Sequence, residues 1–508
     1  MNMSQAGILM AMIVYLIGMI VIGVVVSRKN ESVGDFYLGG RHLGPVVTAM
    51  SAEASDMSSY LLMGLPGLAY LSGTADVGWT VIGLAIGTYL NWLFVAKPLR
   101  RYTEATGSIT LPSFFSDRYN DKRHVLSLIA ALVIIVFFVP YTASGFSACG
   151  KLFASLFGVN YHVAMMLSAV VIILYTCMGG FLAASITDFI QSIIMTIALT
   201  IVLLFGIKTA GGMGAVIENA KGLAGYLSMT STHVQADGTA SPYGFITVIS
   251  TMAWGLGYFG MPHILLRFMA IEDENKIKIS RRIASIWVVV AMGVAVLIGI
   301  VGLGMTASGD IPLLEGSTSE TIIVEIASLL SKNGAFFAVI AGIVLSGILA
   351  STMSTSDSQL LAASSSVSSD IMTDFFHMNV DENKLLEVSR LNLVIIAVIG
   401  VFLAWDPNST VFSIVSFAWA GFGAAFGPAI LLALFWRRSN RYGAIFGMIA
   451  GGVMIFVWKF AVRPLGGAWN IYELLPAFIF AILVNVIVSL ITPAPGKDVT
   501  DVFDKVKR

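Results

Sequence analysis

The chain has 508 residues, 57% of them hydrophobic and 11% charged, with 29 basic side chains against 29 acidic ones and a mean hydropathy of +0.87. Soluble domains carry roughly a quarter of their residues as charges, so this composition excludes a water-soluble protein. The balanced charge gives no basic face for nucleic acid. Apolar runs long enough to cross a hydrocarbon core of roughly 30 Å recur along the chain. Backbone in lipid must satisfy its own hydrogen bonds, and the runs are too long for barrel strands. The expected class is therefore an all-α membrane protein of about thirteen transmembrane helices.

The expected spans are 6–26, 44–71, 76–97, 124–150, 161–183, 188–209, 243–266, 283–306, 335–358, 389–406, 410–436, 443–462 and 472–492, with a short helix outside the membrane at 321–331. The first run has no Lys or Arg before it, and Arg28 and Lys29 follow it. That charge order is the reverse of a signal peptide, so the run reads as a retained span. With the N-terminus outside, 23 Lys and Arg fall on the inner side and 6 on the outer. The positive-inside rule favours this orientation and an odd number of spans, with a cytoplasmic tail at 493–508. Cys149 and Cys177 fall in neighbouring spans towards opposite faces, which argues against a disulfide or a metal site.

The second span carries Ser51-Ala52-Glu53-Ala54-Ser55-Asp56-Met57-Ser58-Ser59-Tyr60 at its middle. A central Asp costs roughly 2.5–3.5 kcal/mol on insertion scales. Such a segment is unwound, lines a cavity or coordinates something, or else it is a helix packing a polar face on a neighbour. Glu53 is open to being held protonated by desolvation. The seventh span carries Trp254-Gly255-Leu256-Gly257-Tyr258-Phe259-Gly260-Met261-Pro262, whose glycines and proline weaken helical hydrogen bonding. A kinked packing helix is the alternative there.

These two segments sit five spans apart, and an odd offset inverts chain direction across the membrane. Interrupted helices at corresponding places in two inverted halves point to a transporter's midplane binding site. The expected organisation is a single transmembrane domain over 1–492. Its parts are an extra span at 6–26, a first repeat at 44–209, a second at 243–436, and two extra spans within 443–492.

The ninth span ends in a hydroxyl-rich run in which Ser351, Ser354, Thr355 and Ser358 share one helical face. Such hydroxyls can simply bond back to their own helix or allow close packing. Together with carbonyls freed by a broken helix, they also suit a hard monovalent cation such as Na⁺. Asp188 sits either in a short inner loop or deeper, where it pairs with the region of Asp357 and serves a second cation or a proton.

From about residue 8 to 492 the chain resembles the sodium:solute symporter family. The resemblance is carried by Ser55-Asp56-Met57-Ser58, Leu62-Met63-Gly64-Leu65-Pro66-Gly67, Trp254 to Gly260, Pro262-His263-Ile264-Leu265, Arg267-Phe268-Met269-Ala270, Met353-Ser354-Thr355 and Ala418 to Pro428. It implies a LeuT-type inverted repeat of five plus five helices with flanking helices. It also implies sodium held by the carbonyls of Ala54, Met57 and Ser351 and the hydroxyls of Ser354 and Thr355, with Asp56 supporting tight binding. Ser58, Ser59, Tyr60, Tyr141, Trp254, Tyr258 and Pro262 match the substrate pocket, and Arg41 and Asp188 match charged positions linked to coupling. Asp357 beside Ser358 keeps a second cation site open, as in the sialic-acid branch of the family. Ser59 and Tyr60 stand where the best-known proline carrier of the family has Gly and Trp, and Glu53 and Asp357 stand where it has uncharged residues.

The expected function is sodium-coupled uptake of L-proline by alternating access in the cell inner (plasma) membrane. Na⁺ is the co-transported ion, no organic cofactor is expected, and the protein is not an enzyme. The alternatives are another solute (a monocarboxylate, pantothenate or sialic acid) and, remotely, an intramembrane aspartyl protease using two of Asp56, Asp188 and Asp357. No Gly-x-Gly-Asp run supports the protease.

Overall fold

The computed structural model describes residues 3–27 and 33–507; Arg28, Lys29 and Arg508, which entered the charge count, lie outside them. The protein is almost wholly helical, as its composition requires. Ten helices among the described residues are long and apolar enough to cross a membrane. The expected thirteen is not reached by that measure, because the segments expected at 44–71, 161–183 and 243–266 are interrupted or short.

The principal helices are α1 (Met3–Ser27), α2 (Pro45–Ser59), α3 (Leu65–Ser72), α4 (Thr74–Leu90), α5 (Val125–Phe157), α6 (Tyr161–Thr209), α7 (Phe245–Met252), α8 (Pro262–Ala270), α9 (Ile277–Ala307), α10 (Ala335–Ser365), α11 (Glu382–Leu403), α12 (Val411–Phe435), α13 (Arg441–Val457) and α14 (Leu474–Ile491). Helix α10 is central and packs against α1, α2, α5 and α6, while α13 and α14 pack on α12. Outside the bundle lie the expected helix, at Ile322–Ser331, and an antiparallel hairpin of β1 (Ser231–Val234) and β2 (Thr239–Pro242). A C-terminal amphipathic helix at Lys497–Lys507 is fastened by Arg437 to Asp504 at 2.9 Å and by Phe503 under the Arg118 guanidinium.

Two interruptions matter. Helix α2 breaks at Ser58, which takes φ 49° and ψ −168°, and the chain resumes through one wide turn at Tyr60–Gly64 into α3. A left-handed serine costs on the order of 1–3 kcal/mol and persists only where packing enforces it. Helix α7 tightens into a 3₁₀ segment at Ala253–Gly260, becomes extended at Met261, and restarts as α8 with Pro262 at its first position. Proline suits that position, since its missing amide is not needed there.

Two expectations are corrected. No loop separates 183 from 188: α6 runs through, with a single kink at Gly180. Asp188 is therefore about two turns inside a helix and fully buried. The ninth span does not end at 358 but stays helical to Phe375. Its hydroxyls bond back along the helix, as Ser358 does to Ser354 O at 3.0 Å, so the polar run need not end the helix.

The 3₁₀ segment lies close against α4 because both lack side chains at the contact. A Cβ on Gly255 would overlap the carbonyl oxygen of Gly83 and crowd Gly87. Gly255→Ala is expected to cost about 1–3 kcal/mol by overpacking, read as a lower thermal midpoint of the purified protein in detergent.

Candidate functional site

The break in α2 frees carbonyls that a continuous helix would have used, and neighbouring helices supply donors. The Ser354 hydroxyl of α10 donates to Ala54 O at 2.8 Å, and the Tyr141 hydroxyl of α5 donates to Asp56 O at 3.3 Å. Ser354 and Thr355 also reach Ser351 O, at 3.2 and 3.1 Å. Ala54, Ser351, Ser354 and Thr355 thus come together at the α2–α10 contact, all buried, with Met57 the last residue before the break. Buried hydroxyl and carbonyl oxygens with no net charge form the donor set that a small hard cation takes.

One turn on, an aromatic cluster faces the break. Tyr60 stacks on Trp254 at 5.6 Å between ring centroids, Trp254 stacks on Tyr472 at 5.2 Å, and Tyr258 meets Trp419 edge-on at 5.1 Å. The Tyr258 hydroxyl donates to Asp56 Oδ2 at 2.6 Å. The cavity among Asp56, Met57, Tyr60, Tyr141, Trp254 and Trp419 measures about 10 Å³, enough for about one water. In this form the aromatic walls have closed on one another.

Four of the expected pocket residues lie outside that lining, Tyr258 among them. Ser58 turns its hydroxyl to accept from the Tyr60 amide at 3.1 Å, Ser59 is buried with its hydroxyl unpaired, and Pro262 opens α8 outside the cavity wall. Sequence reasoning missed Trp419, Phe412 and Tyr472. Trp419 Nε1 donates to the freed carbonyl of Trp254 at 2.7 Å, and Asn91 Nδ2 to that of Tyr258 at 2.9 Å. Phe412 lies against both Tyr60 and Trp254, at 5.9 and 5.4 Å. It is held there by Glu320, which accepts from the amides of Val411 and Phe412 at the start of α12 and pairs with Lys151 at 2.7 Å. An acid at a helix N-terminus is electrostatically favourable.

Beside the hydroxyl run lies a buried charge cluster. Arg267 of α8 pairs with Asp188 of α6 at 3.0 Å and donates to Ser358 at 2.6 Å and Ser51 at 3.0 Å. Ser51 also donates to Asp188 at 2.7 Å, and Ser358 to Asp357 at 3.2 Å. Asp188, Asp357 and Ser358 are therefore brought together, with Arg267 as the partner that the spacing did not reveal. Arg41 is not part of this cluster: it donates to the carbonyls of Met269 at 2.6 Å, Thr103 at 2.9 Å and Ser108 at 2.7 Å. Glu53 is buried on another side of α2, where it accepts from Trp92 at 3.0 Å and Thr88 at 3.3 Å and leaves Oε2 unpaired.

The sequence profile of the sodium:solute symporter family matches residues 36–451. The sodium/proline symporter of Escherichia coli is 41% identical over 487 residues, covering 95% of this chain and 93% of that protein. The osmoregulated proline transporter OpuE of Bacillus subtilis is 39% identical over 491 residues, covering 96% of each. Among solved structures, a Na⁺-coupled sialic acid symporter in a substrate-bound, outward-open state superposes with a TM-score of 0.78 at 17% identity, covering 98% of this chain and 99% of that one. A nucleobase-cation-symport-1 family transporter in a closed conformation gives 0.55 at 13% identity, covering 94% and 99%.

The charge cluster yields a double-mutant test. Removing one partner of a buried ion pair strands the other and costs about 3–5 kcal/mol. Arg267→Gln or Asp188→Asn alone should therefore lower the thermal midpoint sharply. The two together should recover part of the loss, measured on purified protein without reference to transport.

Proposed function

We infer that this chain, which belongs to the sodium:solute symporter family, carries L-proline inward together with Na⁺ by alternating access. As a member of that family it is a multi-pass membrane transporter and not an enzyme. The protease alternative has no support in the geometry, since Asp188 is held by Arg267 and Asp56 by Tyr258. We place it in the plasma membrane with the N-terminus outside and the C-terminal helix in the cytoplasm. We read 44–209 and 243–436 as its two inverted repeats.

The observation that carries the mechanism is the contact of Ser354 with Ala54 O, which spans the broken α2 and the central α10. Sodium takes the oxygens of Ala54, Met57, Ser351, Ser354 and Thr355 in place of their mutual hydrogen bonds. In doing so it ties the break to α10. The same break carries Asp56 and Tyr60, which line the aromatic cavity, so cation binding and pocket geometry share one stretch of backbone. Proline enters when Tyr60, Trp254 and Tyr258 part. Their faces then enclose the ring and offer its ammonium a π surface. Amides exposed around the two breaks, at the positive end of a half-helix, receive the carboxylate. Because the coupling is a free energy, proline tightens sodium by the same factor that sodium tightens proline. The choice of proline among solutes is supported by the proline carriers that this chain resembles over nearly its whole length. Asp188, Asp357 and Ser358 are proposed as a second cation site, with Arg41 and Asp56 acting in coupling.

In proteoliposomes, labelled L-proline should accumulate under an inward Na⁺ gradient and not with K⁺ in its place. Accumulation of another solute with no response to proline would overturn the substrate and leave the fold untouched. Ser354→Ala and Thr355→Ala should each raise the sodium concentration for half-maximal uptake roughly tenfold, equivalent to about 1.4 kcal/mol. An unchanged sodium dependence in both would remove them from the site.

A further inference from the structure

Away from the transport site, a cavity of about 490 Å³ lies among α1, α5, α6 and α10. Leu9, Leu16, Phe153, Ile172, Leu349 and Met353 form its apolar walls. The few polar groups in the lining make no demand on an occupant. The Gln5 amide donates to Leu156 O at 3.3 Å and the Ser168 hydroxyl to Ala164 O at 2.8 Å. A cavity lined in this way has nothing to hold water.

Its dimensions identify what fills it. Along α1 it runs from Gln5 to Leu16, which at 1.5 Å per residue is about 16 Å. That is the depth of one leaflet of a hydrocarbon core roughly 30 Å thick. Val163 and Leu167 stand at its rim with 49% and 64% of their surface exposed, so in a membrane the cavity is reached sideways from lipid.

We propose that this cavity binds one phospholipid acyl chain from the leaflet on the N-terminal side. The chain end packs against Leu349 and Met353, on the same turns of α10 that carry Ser351 and Ser354. A lipid tail therefore completes the packing of the central helix behind its hydroxyl run. Its bearing on sodium binding rests on the function proposed above; the site itself does not.

The test uses the full chain in liposomes whose phospholipid carries a diazirine at the end of one acyl chain. After irradiation, modified residues are mapped by mass spectrometry. Adducts on partly buried Leu16 or on buried Leu349 or Met353 are expected in addition to those on exposed Leu174 and Leu204. Ala164→Phe with Ser168→Phe fills the cavity and should abolish the inner adducts while leaving the surface ones. Labelling confined to exposed residues in the unaltered protein would overturn the proposal, as would inner labelling that survives the filling. If the filled variant does not fold, the map of the unaltered protein decides alone, and no uptake measurement enters the result.

Discussion

A helix interrupted inside a bilayer leaves carbonyls and amides that lipid cannot satisfy, and the centre of this protein is organised around that constraint. Four carbonyls at the two interrupted segments are met by side chains from other elements. Ala54 is met by Ser354, Asp56 by Tyr141, Trp254 by Trp419 and Tyr258 by Asn91. Each donor fastens a broken segment to a different part of the bundle. The breaks are therefore joints, held by directional bonds that an ion or a polar solute is chemically equipped to replace.

The charges stand directly beside the hydroxyl run. Arg267 draws Asp188 and the hydroxyls of Ser51 and Ser358 into one network, which reaches Ser354 O through Ser358. A buried arginine facing carboxylates is costly to assemble and more costly to break. It is a fixed point between α6 and α8 against which the hydrogen-bonded joints can move.

Much of this was legible in the sequence. Two carboxylates and four serines inside an apolar span, and three glycines with a proline inside another, are anomalies for which a broken helix was one of two readings, and both breaks lie at those residues. The hydroxyl face from Ser351 to Ser358 was equally plain from its spacing. What stayed hidden was pairing across the bundle. Arg267 has no mark in the sequence that points to Asp188, and Trp419, Phe412 and Tyr472 are aromatics in apolar runs where aromatics are ordinary. The fate of Asp188 turned on Gly180, a single left-handed glycine that kinks α6 without opening a loop. The helix runs on to Phe375, past the span expected at 335–358, with hydroxyls bonded to their own helix.

The cavity among Tyr60, Tyr141, Trp254 and Trp419, with room for about one water, has a thermodynamic consequence. A solute the size of an amino acid meets a closed door, so it binds only the fraction of molecules in which the aromatic walls stand apart. Measured affinity is then the intrinsic affinity diminished by that fraction. Substitutions that loosen the ring stacking would tighten apparent binding without adding a contact, and by the same factor for every solute. The concentration at which the carrier fills is in this sense stored in how reluctantly Tyr60, Trp254 and Trp419 let go of each other.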